Sequence, residues 1–316
     1  MYLVTGGAGF IGSHIVEALV GEGERVRVLD DLSNGLAANL ASFSDAVELV
    51  AGDIRDPSVV QRCVTGVDVV LHLAALGSVA RSVADPVTSN DVNVTGTLNV
   101  LRAARDAGVH RLVFSSSSSV YGENPTLPKR EDIALMPVSP YAVSKLAGEA
   151  YTRVFARLYD METVCLRYFN VFGPRQRPDS AYAAVIPLFM QRAMDGQPLV
   201  IYGDGLQSRD FTYVTNVVRA NLLAARASGV SGGVFNVACG ERYSLLDIVR
   251  SLEAAVGHPL QVLHEDVRAG DVRHSEADVT EARNRLGYQV EVTFDEGFAR
   301  TWRAFIERAR RLKAAV

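Results

Sequence analysis

Six short runs, almost wholly apolar, constrain this chain most. They are 2–5 (YLVT), 25–29 (RVRVL), 47–51 (VELVA), 67–73 (VDVVLHL), 111–115 (RLVFS) and 163–168 (TVCLRY). Apolar runs this short fit strands covered on both faces. Helix-like stretches lie between them near 10–22, 92–107 and 141–159; in the second, Val92, Leu98, Val100, Leu101 and Ala104 share one helical face. Strand–helix alternation of this kind implies right-handed βαβ units, and so an α/β fold around a doubly wound parallel sheet.

After residue 168 the pattern is less regular. Helices are expected near 181–195, 215–228, 244–256 and 294–312, with strands at 199–201 and 233–237 and a glycine turn at 203–205. No linker or repeat divides the chain. The expected organisation is a nucleotide-binding first lobe over 1–168, rejoined by part of 210–240, and a smaller C-terminal α/β lobe for substrate over 169–316.

Composition narrows the function classes. The 316 residues are 48% hydrophobic and 22% charged, which supplies a core and argues against wholesale disorder. A net charge of -4 argues against nucleic acid as a partner, though not against a small anion. Cys63, Cys165 and Cys239 are far apart and suggest neither a disulfide framework nor a metal site, and the histidines show no metal spacing. No apolar run reaches membrane-spanning length, and 1–5 reads as a strand rather than a leader, so no membrane partner and a cytoplasmic location are expected.

Gly6, Gly9 and Gly12 stand between the first strand and first helix, where glycine permits a tight turn and close approach of a pyrophosphate to backbone amides. Asp30 follows the second strand, 18 residues beyond Gly12, where a carboxylate can accept ribose hydroxyls and repel a 2′-phosphate. That favours NAD over NADP; a plain turn and a cap are the simpler readings. Ser139-Pro140 starts a helix carrying Tyr141 and Lys145 on one face. An ammonium so placed is expected to lower the tyrosine pKa and fit it for proton transfer. The serines 115–119 follow the fifth strand, at the sheet edge where such folds bind ligands.

Together, TGGAGFIG, HLAAL (72–76), NVTGT (93–97), SSSSSVYG (115–122), SPYAVSK (139–145) and RYFNVFGPRQ (167–176) resemble the extended short-chain dehydrogenase/reductases, and within them the nucleotide-sugar 4-epimerases. The resemblance covers essentially the whole chain. It implies a Rossmann fold, bound NAD, a UDP-sugar substrate and a homodimer formed through helices near 92–107 and 141–159. It implies that Gly6, Gly9, Phe10, Ile11 and Gly12 hold the pyrophosphate, that Asp30 and Asn34 hold the adenosine ribose, and that Asp53 and Ile54 flank the adenine. Ala74, Ala75 and Leu76 would line the cofactor with Asn93 behind them, and Tyr168 would lie near the nicotinamide. Ser117, Tyr141 and Lys145 match the catalytic set, with Lys145 on the nicotinamide ribose.

For the substrate, the resemblance points to Asn170, Arg209 and Arg268 on the diphosphate. It also points to a backbone clamp at Val185 and Ile186, to Tyr202 near the uracil and to Asp271 on a ribose. Related dehydratases carry Asp-Glu where this chain has Ser118 and Ser119, and decarboxylases keep a glutamate at the second place. Serine cannot do that acid–base work at neutral pH, which disfavours dehydration and decarboxylation, whereas epimerisation needs only the tyrosine, the serine and the cofactor; a net 4-keto reductase is a further alternative. Ser118 then only touches substrate. Ser275 matches a position where epimerases restricted to UDP-glucose carry tyrosine, and a small residue there gives room for a 2-acetamido group. UDP-GlcNAc/UDP-GalNAc is therefore the expected pair. UDP-glucose/UDP-galactose is an alternative, and so is UDP-glucuronate, with Arg175 or Arg177 facing the carboxylate.

Overall fold

The computed structural model describes residues 1–178, 184–267 and 272–314. The first lobe contains β1 (Tyr2–Thr5), α1 (Phe10–Gly21), β2 (Val26–Asp30), β3 (Val47–Ala51), α2 (Pro57–Val64), β4 (Val69–His72), α3 (Val79–Ala84), α4 (Pro86–Asn90), α5 (Thr97–Asp106), β5 (Arg111–Ser117), α6 (Pro140–Leu158) and β6 (Glu162–Tyr168). The remainder contains β7 (Val171–Phe172), α7 (Val185–Met194), β8 (Leu199–Tyr202), β9 (Ser208–Arg209), β10 (Thr212–Tyr213), α8 (Val214–Arg226), β11 (Gly233–Val237), β12 (Tyr243–Ser244), α9 (Leu245–Val256), β13 (Val262–Glu265) and α10 (Phe294–Ala314).

Seven strands form one sheet in the order β11-β6-β5-β4-β1-β2-β3, every neighbouring pair parallel. This is the doubly wound Rossmann arrangement. The chain winds outward in both directions from β1, so the β1/β4 junction is the switch point outside whose carboxyl ends a ligand crevice forms. β1 and β4 are wholly buried, as their unbroken apolar runs require. One core layer joins Ile15, Val16 and Leu19 of α1 to Val217, Leu222 and Ala224 of α8. The opposite layer joins Val60 and Val64 of α2 to Val100 and Leu101 of α5. The segment 214–237 returns to this sheet: α8 packs on α1, and β11 pairs with β6. A third core, around Phe172, Phe189, Phe211 and Phe294, belongs to the second lobe.

The six expected strands and the principal helices are present, the one expected over 181–195 as α7 from Val185 with 181–183 outside the described residues, and there are three differences. The helix expected over 92–107 starts as a wider π turn, Asp91–Gly96, with the Thr97 hydroxyl donating to the Asn93 carbonyl at 2.7 Å. Three short helices escaped the apolar periodicity because their signals are caps: Asp56 before Pro57, Ser78, and Asp85 before Pro86. Three of the five serines are strand, since β5 continues to Ser117, opposite Tyr168 of β6.

Candidate active site

At the switch point β1 turns sharply into α1. Gly6 has φ +70° and lies so close to β4's exit that a Cβ would sit 2.8 Å from the Ala74 nitrogen. A Cβ on Gly12 would sit 2.2 Å from the Gly6 carbonyl oxygen. No side chain caps α1, and the Gly9 carbonyl accepts first from Ser13. The amides of Phe10, Ile11 and Gly12 are therefore left at the positive end of the helix, beside a cavity that these residues line. This is the donor set and clearance that a pyrophosphate needs.

Asp30, at the end of β2, is 6% exposed and accepts from the Ala8 and Leu32 amides, each at 2.9 Å. Burial pushes its carboxyl up, and the two amides pull it back. Asn34, Asp53 and Ile54 line the same stretch of cavity. Asp53 is held by Arg55 at 2.5 Å, which keeps its carboxyl below the usual range. Ala74, Ala75 and Leu76 form the adjoining wall. Asn93 lies behind that wall, accepting from the Leu76 amide at 2.8 Å and donating to the Ser144 hydroxyl at 2.9 Å. The residues present thus fit a dinucleotide: free amides for its phosphates, a carboxylate for its ribose and a narrow apolar wall.

Ser117, Tyr141 and Lys145 line the same cavity, whose volume is about 1280 Å³. Ser139 caps α6 by accepting from the Ala142 amide at 3.2 Å, which fixes the turn that presents Tyr141. Lys145 is 6% exposed, donates to the Ser115 carbonyl at 2.8 Å and lies over the Phe114 ring. Burial brings its pKa down to about 8.

The expected effect of Lys145 on Tyr141 is overturned. Burial raises the tyrosine, and the group that pulls it back is the Ser117 hydroxyl. The lysine donates to the Ser115 carbonyl, and burial lowers its own pKa only to about 8, so it stays mostly an ammonium at neutral pH. Ser117 accepts from the Ser119 amide at 3.2 Å, which leaves its proton to be given to the Tyr141 oxygen. Tyr168 lines the cavity, but its hydroxyl donates to Asn221 at 2.9 Å and meets Ser115 at 2.9 Å.

Ser118, Asn170, Arg209 and Ser275 line the part of the cavity formed with the second lobe. Asn170 has φ +29° and donates to the Asp210 carbonyl at 3.3 Å. Arg209 donates to the carbonyls of Ser208 and Arg273 at 3.0 and 3.1 Å. Val185 and Ile186 open α7 and lie outside this lining, with Ile186 packed into the third core. Tyr202 is half-buried and also outside the lining. Arg268 and Asp271 lie outside the described residues.

Sequence reasoning missed Lys129 and Arg81, which also line the cavity. It also missed the buried pair beneath it. Glu149 and Arg167, each about 2% exposed, meet at 2.6 Å, and Glu149 accepts from Ser116 at 2.8 Å. Glu149 lies four residues after Lys145 on α6, which was the available signal. Arg175 and Arg177 also line the cavity, and Arg175 pairs with Glu17 of α1 at 2.6 Å.

The sequence model of the NAD dependent epimerase/dehydratase family matches residues 2–238. The chain belongs to this family, the extended short-chain dehydrogenase/reductases; it is an enzyme, and its cofactor is NAD. A UDP-glucose 4-epimerase of Mycolicibacterium smegmatis is 43% identical over 95% of this chain and 96% of its own length. The UDP-N-acetylglucosamine 4-epimerase from Methanobrevibacter ruminantium, solved with UDP-N-acetylmuramic acid, superposes with a TM-score of 0.93 at 39% identity, covering 97% of this chain and 98% of its own. The Thermus thermophilus UDP-glucose 4-epimerase, solved with NAD, gives a TM-score of 0.88 at 37% identity, covering 96% and 98%. Among the described residues no cluster of ligating side chains could hold a metal ion, and no helix is long and apolar enough to cross a membrane.

Proposed function

We propose that this enzyme inverts C4 of UDP-GlcNAc and UDP-GalNAc through a transient 4-keto sugar. The observation that carries the reading is one cavity whose lining brings Ser117, Tyr141 and Lys145 together with Ser275. When bound, NAD supplies a hydride acceptor and donor. Tyr141 takes the proton of the 4-hydroxyl and returns it. Ser117 donates its single proton to the Tyr141 phenolate and stabilises it; once the tyrosine is protonated, that proton can turn to the 4-oxygen. The Ser115 carbonyl fixes the Lys145 ammonium and leaves its other hydrogens for the nicotinamide ribose. Asn170 and Arg209, with Arg268 and Asp271, hold the nucleotide end and let the hexose turn over.

Ser275 decides the sugar. Its small side chain leaves room for the acetamido group, so turnover of UDP-GlcNAc, followed by NMR of the product without added NAD, should exceed that of UDP-glucose. Ser275→Tyr should cost about tenfold or more in kcat/KM on the N-acetylated sugar and little on UDP-glucose. Intact N-acetyl turnover in that variant would sink the assignment. UDP-glucuronate is the second reading, supported by Arg175 and Arg177 in the lining, of which Arg175 also pairs with Glu17. We further propose a cytoplasmic homodimer joined through α5 and α6, where Val143, Val154 and Leu158 of α6 are exposed; a monomer in sedimentation at micromolar concentration would refute it.

A further inference from the structure

A second cavity of about 430 Å³ adjoins the first, and Gly122, Lys129, Val138 and Val272 line both. Its lining includes Arg273 and His274, next in sequence to Ser275, which lines the main cavity and is assigned to the hexose. Lys129 is the unusual residue at this junction. Its side chain is 2% exposed. Its backbone is pinned on both sides: the amide donates to the Glu276 carbonyl at 2.7 Å, and the carbonyl accepts from Asp278 at 2.9 Å and Asn236 at 2.9 Å. Its ammonium donates to the Asn124 carbonyl, and no carboxylate among the described residues pairs with it.

A buried ammonium has three hydrogens to satisfy, and a single neutral acceptor leaves most of its lost hydration uncompensated. The other charged groups lining the recess are already engaged or open to water. Arg273 pairs with Asp204 at 2.7 Å, the His274 ring meets the Ser208 hydroxyl at 2.8 Å, and Glu123 is exposed. The recess thus presents one buried ammonium, held by the Asn124 carbonyl, beside the main cavity. One ammonium matches one monoanion, and a carboxylate is the monoanion a hexose commonly carries.

We propose that this second cavity receives a carboxylate borne on the hexose of the sugar nucleotide, with Lys129 as its counter-ion and as a specificity-determining residue. This rests on the reading that the main cavity binds a UDP-hexose. The carboxylate can come from an oxidised C6 or from an acid-bearing ether on the ring, and the two are distinguished by using both as probes.

The test is calorimetric titration of the purified enzyme with UDP-GlcNAc, UDP-glucuronate and a UDP-GlcNAc carrying a 3-O-carboxyalkyl ether, in the natural chain, Lys129→Met and Lys129→Arg. Methionine keeps the length of the stem and removes the charge, and a thermal melt checks that each variant folds. The expected result is a loss of tenfold or more in affinity for at least one acidic sugar in Lys129→Met. UDP-GlcNAc affinity should stay within twofold, and Lys129→Arg should recover most of the loss. Equal losses for neutral and acidic ligands would make Lys129 purely structural, and unchanged affinities would leave it without a ligand; either overturns the proposal. Failure of the underlying reading looks different, because the natural chain would then bind none of the three.

Discussion

The two halves of this molecule line the cavity by different means. The first lobe hangs its lining groups on long regular elements: Gly6 and Gly9 between β1 and α1, Gly12 in the first turn of α1, Asp30 at the end of β2, Ser117 at the end of β5, and Tyr141 and Lys145 on the first two turns of α6. In the second lobe, four of the six described strands outside the main sheet are two residues long. Order there comes from side chains that tie loops together. Asp210 accepts from the amides of Cys239, Gly240 and Ala277 at 2.9, 2.9 and 3.2 Å, and its carbonyl accepts from Asn170. A half built on a sheet places reactive atoms rigidly. A half built on loops can be retuned one contact at a time, as a family with many sugars requires.

This contrast predicts where single changes act. Tyr141→Phe should cost about 10³-fold in kcat, read by the product assay, with the melting curve unmoved. Retained activity would remove the base assignment. Asp210→Ala strands three buried amides and should lower stability by about 3 kcal/mol in urea melts. It should raise KM for the UDP-sugar while bound NAD is kept; loss of NAD as well would mean that the halves are not independently built. Gly12→Ala drives a methyl into the Gly6 carbonyl, costing about 2 kcal/mol and depleting NAD in the purified enzyme.

The smallest expected effect is in Ser117→Ala. Because Ser117 lowers the Tyr141 pKa, its removal raises that pKa, and the ascending limb of the pH–rate profile should move to higher pH with about a tenfold loss at neutrality. A shift the other way would show that another group governs the phenol.

The same contrast explains what could be read before the structure was known. Periodicity reports burial, so the strands of the main sheet and the glycine turn were visible in the chain itself. Val185, Ile186 and Tyr202 were placed by resemblance, and they lie outside the cavity lining because their neighbours are set by loops, whose paths no periodicity encodes. Lys129 was invisible for the same reason: its burial comes from a bridge to Ala277, almost 150 residues away. The sign of the Tyr141 shift was misread because a four-residue helical offset gives proximity but not desolvation, and desolvation dominates here.

The carboxylate at position 30 has a consequence for redesign. Its two oxygens are the acceptors of the Ala8 and Leu32 amides, and a Cβ on Gly35 would meet them at 2.7 and 2.8 Å. Asp30 is therefore part of the floor as well as a charge. Exchanging it for a neutral residue would leave two amides without acceptors, and a phosphate oxygen is a natural replacement. Converting this enzyme to the phosphorylated dinucleotide would thus begin from donors that the fold already holds in place, once the anion that now occupies them is removed.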